Sequence, residues 1–353
     1  MSKSLGNVID PVEIIDKYGA DSLRFSLISL TAFGQDVFLS PNFHIKGRNF
    51  TNKIWNASRY LFKRCEELNI ENINFLKDKE NIDFPEKWIL MKLDEIVKKT
   101  GNSLEKFYFN EALNNLYDFF WHDFCDWYIE ISKVYKEENY IENIVIPIIF
   151  EVLTVSLKLL HPFIPFITEQ IWQNLKKYIK FESESITVSK WPESKNFYDR
   201  ETFEKFERIK DIVIAIRDIK TRFKISIERE VECFYDGDLN ELEKIIIKKL
   251  AGVKEIKRFI EEKDIFVRHL KWGGLGITFH GIINISEEKE KKLKEIEKLK
   301  EILSNIENRL KNEEFLKKAP PEVIENEKNK KIEIEEKIKN LQKDIQFIEK
   351  RSE

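Results

Sequence analysis

Asn110–Val134, NEALNNLYDFFWHDFCDWYIEISKV, places Leu113, Leu116, Tyr117, Phe120, Phe124, Trp127, Tyr128 and Ile131 at helical spacing. The stripe they draw is too wide for a helix with one face in water, so this segment belongs at the centre of a helical bundle. The rhythm extends outward from His44 to about Tyr178 with little sign of strands, and at least five helices fit. His161-Pro162-Phe163-Ile164-Pro165 interrupts it. Pro165 is placed to start the next helix, which runs on through Ile171, Trp172 and Leu175.

Toward the N-terminus, Asp10 can cap free backbone N–H groups and Pro11 suits the first position of a helix that Gly19 ends. A second short helix, about Ser22 to Leu30, is expected to carry Leu23, Phe25, Leu27 and Ile28 into a core, and residues 33–41 read as a loop. On the other side of the bundle, Ser, Glu and Pro accumulate between Glu182 and Asn196, which marks a linker. A helix near Thr202–Arg222 follows. Short β-like runs at Val231–Tyr235 and Leu275–Ile285, with a helix between them ending at Gly252, make a small α+β domain. Finally, Ile296, Leu299, Leu303, Ile306 and Leu310 alternate by three and four. So do Ile334, Ile338, Leu341, Ile345 and Ile348, beyond Ala319-Pro320-Pro321. Two helices, roughly 40 Å each at about 1.5 Å rise per residue, are expected to fold back as an antiparallel coiled coil. The expected fold is mainly α, divided at 1–43, 44–182 (bundle), 183–200 (linker), 201–285 (α+β) and 286–353 (coiled-coil hairpin).

With 42% apolar and 12% aromatic residues, the 353-residue chain can build real cores. Its 60 basic and 63 acidic side chains leave a net charge of −3, which gives no global attraction to DNA, RNA or anionic membrane. Any RNA contact must come from local patches. Cys65, Cys125 and Cys233 are too far apart for a disulfide framework or a zinc pair, which suits a reducing cytoplasm and implies no metal site. Met1–Asn7 lacks the apolar run of a signal peptide. The apolar stretch Ile144–Leu160, interrupted by Pro147, Glu151 and Lys158, is expected to fall short of a membrane span. His44, His122, His161, His269 and His280 are scattered singly and read as structural or solvated.

The opening, Met1-Ser2-Lys3-Ser4-Leu5-Gly6-Asn7, would by itself be a flexible end. Followed by Asp10-Pro11 and Lys17-Tyr18-Gly19-Ala20-Asp21, it closely resembles the Lys-Met-Ser-Lys-Ser signature of class I aminoacyl-tRNA synthetases and the helix pair after it. Gly34-Gln35-Asp36, Arg48-Asn49-Phe50-Thr51-Asn52-Lys53-Ile54-Trp55-Asn56-Ala57-Ser58-Arg59, Phe124-Cys125-Asp126-Trp127-Tyr128-Ile129-Glu130 and His161 to Glu169 resemble the valyl members more than the isoleucyl or leucyl ones. The terminal hairpin, with Phe315 to Val323, resembles the valyl arm. The resemblance covers nearly the whole chain and is weakest in the α+β region, where Arg217 to Arg222 keeps the family's basic rhythm without its following prolines.

The resemblance implies the C-terminal part of a valine–tRNA ligase, whose complete form uses ATP with Mg2+. Lys3 matches the second lysine of the signature, and its ammonium would follow the charge that builds on departing pyrophosphate; Ser2 and Ser4 would orient that loop. The signature's first lysine would precede Met1, and the sequence holds no His-Ile-Gly-His signature, nucleotide-binding fold or editing insertion. The chain is therefore expected to be inactive alone, with valine tRNA and a separately encoded N-terminal catalytic half as candidate partners. On the helix from Ile45, Phe50, Ile54, Ala57 and Leu61 mark the core side. Arg48, Asn52, Arg59 and Lys63 form a polar stripe beside Asn49, Lys53 and Asn56, with Tyr60 able to stack a base. The residues alone fit a solvated face; the resemblance points to the anticodon. In the arm, Lys289, Lys291, Lys292 and Lys294 are the candidates for the tRNA body, although residues 286–353 balance 18 basic with 18 acidic side chains. A stand-alone tRNA-binding module and a coiled-coil interaction protein remain open as readings.

Overall fold

The computed structural model describes residues 9–31, 34, 36, 37, 39, 40, 42–76, 82–259, 265–278, 285–312 and 321–349. The chain is mainly helical with one small sheet and divides into two compact units, Met1–Ile209 and Lys210–Glu353.

In the first unit, α1 (Pro11–Tyr18) opens as its residues dictate: Asp10 accepts from Val12 N–H at 2.8 Å, and Gly19 ends it at φ 86°. The next helix, α2 (Ala20–Leu30), buries Phe25 as expected but turns Leu27 37% to solvent, and its other buried positions are Asp21, Ser22 and Ser26. The reason is a close crossing with α3 (Ile45–Glu67). A Cβ on Gly47 would lie 2.3 Å from Ser22 O and 2.6 Å from Ser26 Oγ, so α3 needs glycine at this point, where α2 presents Ser22 and Ser26. Phe50, Ile54, Ala57 and Leu61 of α3 are buried as expected.

Two helices follow, α4 (Phe84–Glu105) and α5 (Phe109–Asp118), the second continuing through a π-helical stretch, Phe119–Ile129, into α6 (Glu130–Ser132). The wider π turn explains the broad stripe in Asn110–Val134: Phe120, Phe124, Trp127, Tyr128 and Ile131 are all buried. Next come α7 (Glu138–Tyr140), a π turn at Ile141–Val145, and α8 (Ile146–Leu160). Contrary to the sequence expectation, Glu138–Leu160 is one helical run long and apolar enough to cross a membrane by length and composition. Pro147 does not break the run; it is the second residue of α8, directly after the π turn Ile141–Val145. The run serves as a core helix, with 72% of its apolar window buried in the bundle. Pro165 starts α9 (Pro165–Leu175). The stretch read as a linker is pinned to α4: Asp94 accepts from the Ser194 hydroxyl at 2.8 Å and from Phe197 N–H at 3.2 Å. The start of α10 (Arg200–Arg222) adds Phe206, stacked on Trp88 at 3.7 Å.

The second unit holds the remainder of α10 and a four-stranded sheet of order β2-β1-β4-β3, formed by β1 (Val231–Tyr235), β2 (Val253–Arg258), β3 (Ile265–Leu270) and β4 (Gly273–Thr278). β1 pairs parallel with β2 and antiparallel with β4; β3 pairs antiparallel with β4. The crossover from β1 to β2 is α11 (Glu241–Ala251), whose start carries a capping box between Asn240 and Glu243 and whose end is Gly252 in the left-handed region at φ 61°. Two basic residues of α10 serve this end: Arg217 donates to Leu250 O at 2.7 and 2.9 Å, and buried Lys220 donates to Ile227 O, Arg229 O and Gly252 O at 3.0, 2.8 and 2.7 Å. Leu250 O and Gly252 O belong to the end of α11, and Ile227 O and Arg229 O to the turn before β1, so Lys220 ties the two together. Burial pushes the Lys220 ammonium down to about 8. β4 starts two residues before the expected run Leu275–Ile285 and shares Leu275–Thr278 with it; residues 279–284 lie outside the described residues, and Ile285 begins α12 (Ile285–Lys311). α12 packs on α13 (Pro321–Glu349), with Ile296, Ile338 and Ile345 buried together and Leu299, Leu303, Ile334 and Leu341 against them.

Candidate nucleic-acid interface

The polar side of α3 is set by the side opposite. Because Phe50, Ile54, Ala57 and Leu61 are buried, residues displaced by half a turn must face water. Asn49, Asn52, Asn56, Arg59 and Lys63 do so. Arg48 is half-buried, with its guanidinium 5.8 Å from the Tyr18 ring and its Nη2 3.4 Å from Asn49 Oδ1. Tyr18 in turn stacks on His44 at 3.9 Å. The N-terminal end of the stripe is thus held against α1.

Two of the expected residues belong to a different side of the helix. Lys53 is bound to Asp126 Oδ1 at 2.8 Å and lies 5.2 Å from the Trp121 ring, while His122 Nδ1 is 3.1 Å from the other carboxylate oxygen. Half-buried Tyr60, seven residues and two turns on, has the Lys133 ammonium 5.2 Å over its ring. Both therefore engage the π stretch and α6 rather than the open stripe. The aromatic that the stripe does carry is Trp55, 39% exposed, three residues after Asn52 and four before Arg59. Sequence reasoning passed over it in favour of Tyr60, yet its spacing to Asn52 and Arg59 was the available signal. Arg48, Asn52, Trp55, Asn56 and Arg59 together present two guanidinium groups, two amides and an indole along one side of a helix. That inventory can pair with phosphates and base edges and can stack an unpaired base.

The lysines at the start of α12 do not make one free patch. Lys292 is only 4% exposed; its Nζ donates to Arg222 O at 3.3 Å and lies 5.0 Å over the Phe223 ring. Lys294 is paired with Glu290 at 2.6 Å, Lys289 is half-buried and Lys291 is exposed. Arg222 also donates to Asn340 O of α13 at 2.9 Å, so the base of the helix pair is tied to the end of α10. Ser2, Lys3 and Ser4, like Phe315 to Pro320 of the hairpin, lie outside the described residues. Among the described residues no cluster of His, Cys, Asp and Glu could hold a metal ion. Burial pushes the thiols of Cys65, Cys125 and Cys233 up to about 12, consistent with core residues. His161 bridges two hydroxyls, Nδ1 to Thr168 Oγ1 at 2.8 Å and Nε2 to Thr187 Oγ1 at 3.0 Å, and burial lowers its pKa.

Three protein-family models match the chain. That of the anticodon-binding domain of tRNA ligases covers residues 86–234. That of the valyl-tRNA synthetase tRNA-binding arm covers residues 284–349, and that of the class I tRNA synthetases for isoleucine, leucine, methionine and valine covers residues 1–40. α3 falls between the first and last of these stretches. The chain is 37% identical to a valine–tRNA ligase of Thermotoga maritima and 36% identical to one of Fervidobacterium nodosum, each alignment covering 99% of this chain and 40% of the relative. A valine–tRNA ligase of Aquifex aeolicus is 33% identical, with 99% and 31% covered. The chain spans two-fifths or less of the length of these relatives.

Proposed function

We propose that this chain, which belongs to the valine–tRNA ligase family as its C-terminal region, is the tRNA-recognising part of an ATP-dependent ligase that joins valine to its tRNA. Residues 1–43 end the catalytic domain, with Lys3 stabilising departing pyrophosphate from Mg2+-bound ATP and Ser2 and Ser4 orienting its loop. Residues 44–182 form the anticodon-binding bundle, joined through the segment 183–200 to the α+β domain at 201–285. Residues 286–353 act as an antiparallel coiled-coil arm against the tRNA body, with Lys291 as its exposed cation beside half-buried Lys289 and Glu290-paired Lys294, and Lys292 bracing its base. A catalytic portion carrying the nucleotide fold, in the cytoplasm, completes the activity.

The observation that carries the tRNA reading is the open stripe on α3. Arg48, Asn49, Asn52, Asn56 and Arg59 supply hydrogen-bonding groups and Trp55 a stacking surface, while Lys53 and Tyr60 flank it. In a chain of net charge −3, affinity for RNA requires such a local surface. The test is fluorescence anisotropy with the anticodon stem-loop of valine tRNA at fixed salt. Arg59→Ala and Trp55→Ala are each expected to lower affinity by about 1 to 3 kcal/mol where a base is read or stacked. Arg48→Ala should cost less, because its guanidinium already rests on Tyr18. If all three variants bind as tightly as the unmutated chain, the stripe is merely solvated and the reading of α3 is wrong.

A further inference from the structure

Two side chains of α2 reach the turn between α8 and α9. Buried Asp21 accepts from Phe166 N–H through Oδ1 at 3.3 Å and from Ile167 N–H through Oδ2 at 2.7 Å. These are the second and third residues of α9, whose first is Pro165. Helix starts leave such N–H groups without intrahelical partners, and the positive end of the helix dipole favours a carboxylate there. α9 has no cap from its own chain neighbour, Ile164, so an acid 146 residues earlier in sequence does that work. One turn along α2, Arg24 donates to Phe163 O at 3.0 Å through Nε and to Pro162 O at 2.9 Å through Nη2. A single helix therefore holds both sides of the turn, acid to the N–H groups and base to the carbonyls.

The same helix is seated on α3 at Gly47, whose N–H donates to Ser26 Oγ at 3.2 Å. α2 thus lies between the buried side of α3, opposite the stripe, and the α8–α9 turn, with short, directional contacts to each. A turn held only for stability could be capped locally, as α11 is by Asn240. Four hydrogen bonds to one distant helix instead make α2 follow any displacement of the bundle. We propose that Asp21 and Arg24 are positioning residues that couple RNA binding on the bundle to the α1–α2 pair, the segment next in sequence to the proposed ATP loop. This rests on the tRNA reading above.

The experiment is amide hydrogen exchange of the 353-residue chain, free and saturated with the valine anticodon stem-loop. Binding is expected to slow exchange in α2 by about fivefold or more, the low end of ordinary coupling between sites. Asp21→Asn and Arg24→Met should bind the stem-loop with unchanged affinity yet lose that slowing. Arg24→Lys, able to donate to one carbonyl, should retain part of it. A purely structural role would lower the melting temperature of the variants but leave the bound-minus-free difference intact, and that result overturns the coupling. So does a wild-type chain that binds RNA with no slowing in α2. Absence of stem-loop binding overturns the functional reading itself and the coupling with it. Should Asp21→Asn fail to fold, the Arg24 variants read the same quantity.

Discussion

Glu86 is fully buried at the start of α4, where three tyrosines converge on its carboxyl: Tyr128 at 3.2 Å, Tyr135 at 2.9 Å and Tyr140 at 3.4 Å. Burial is the dominant influence and pushes the carboxyl up to about 8, against the hydroxyl donors that favour its charged form. The tyrosines are held well above their ordinary range, first by burial and then by the facing carboxyl. The folded state therefore binds a proton that the unfolded state releases near 4.5, and the sign follows: stability is fully present below pH 4.5 and declines as pH rises toward about 8. Denaturant midpoints measured across that window should fall with pH, and Glu86→Gln, which keeps the shape without the titration, should flatten the slope attributable to this site. An unchanged slope in Glu86→Gln would show that the carboxyl titrates normally. Nothing in the sequence marks Glu86, because an acid in the first turn of a helix ordinarily faces water. Asp21 is similar: its partners lie about 145 residues away, and no local pattern reports them.

At the scale of elements, what depends on near neighbours was legible and what depends on distant ones was not. Asp10, Pro11 and Gly19 bound α1, and Gly252 ends α11, because caps and left-handed residues act within one turn. The edge strands β2 and β3 went unread. Lys254, Glu255, Lys257 and Arg258 of β2, and Arg268 and His269 of β3, are exposed, so neither strand shows an apolar alternation. Heptad spacing, by contrast, is local and long, and the seam of Ile296, Ile338 and Ile345 lies on residues chosen from it. This seam supports a prediction. Ile338→Asp buries an unpaired carboxylate and should destabilise the helix pair by about 3 to 5 kcal/mol. Amides of α12 and α13 should then exchange faster while those of β1 and β4 keep their protection. Equal loss of protection in the sheet would mean that helices and sheet unfold as one cooperative unit.

For the molecule as a whole, the helical bundle was legible because its apolar period persists over more than a hundred residues, and the α3 stripe because a helix has only one side left once its core side is chosen. Which polar residues remain open was not legible. Lys53, Tyr60 and Lys292 look equivalent to their neighbours in sequence, yet Asp126, Lys133 and Arg222 each claim one of them. The proposed reading of the chain as the C-terminal region of a valine–tRNA ligase, which its matches support, requires these surfaces to tell one tRNA from others. That claim is tested most directly by competition at fixed salt: labelled valine tRNA bound to the 353-residue chain is displaced by unlabelled valine tRNA, or by the same tRNA with its anticodon replaced. The account predicts that the altered tRNA competes at least about fivefold more weakly, as expected when even one base contact is lost. Equal displacement by both would mean that the chain holds tRNA only by its phosphates, and the assignment of anticodon recognition to it would be wrong.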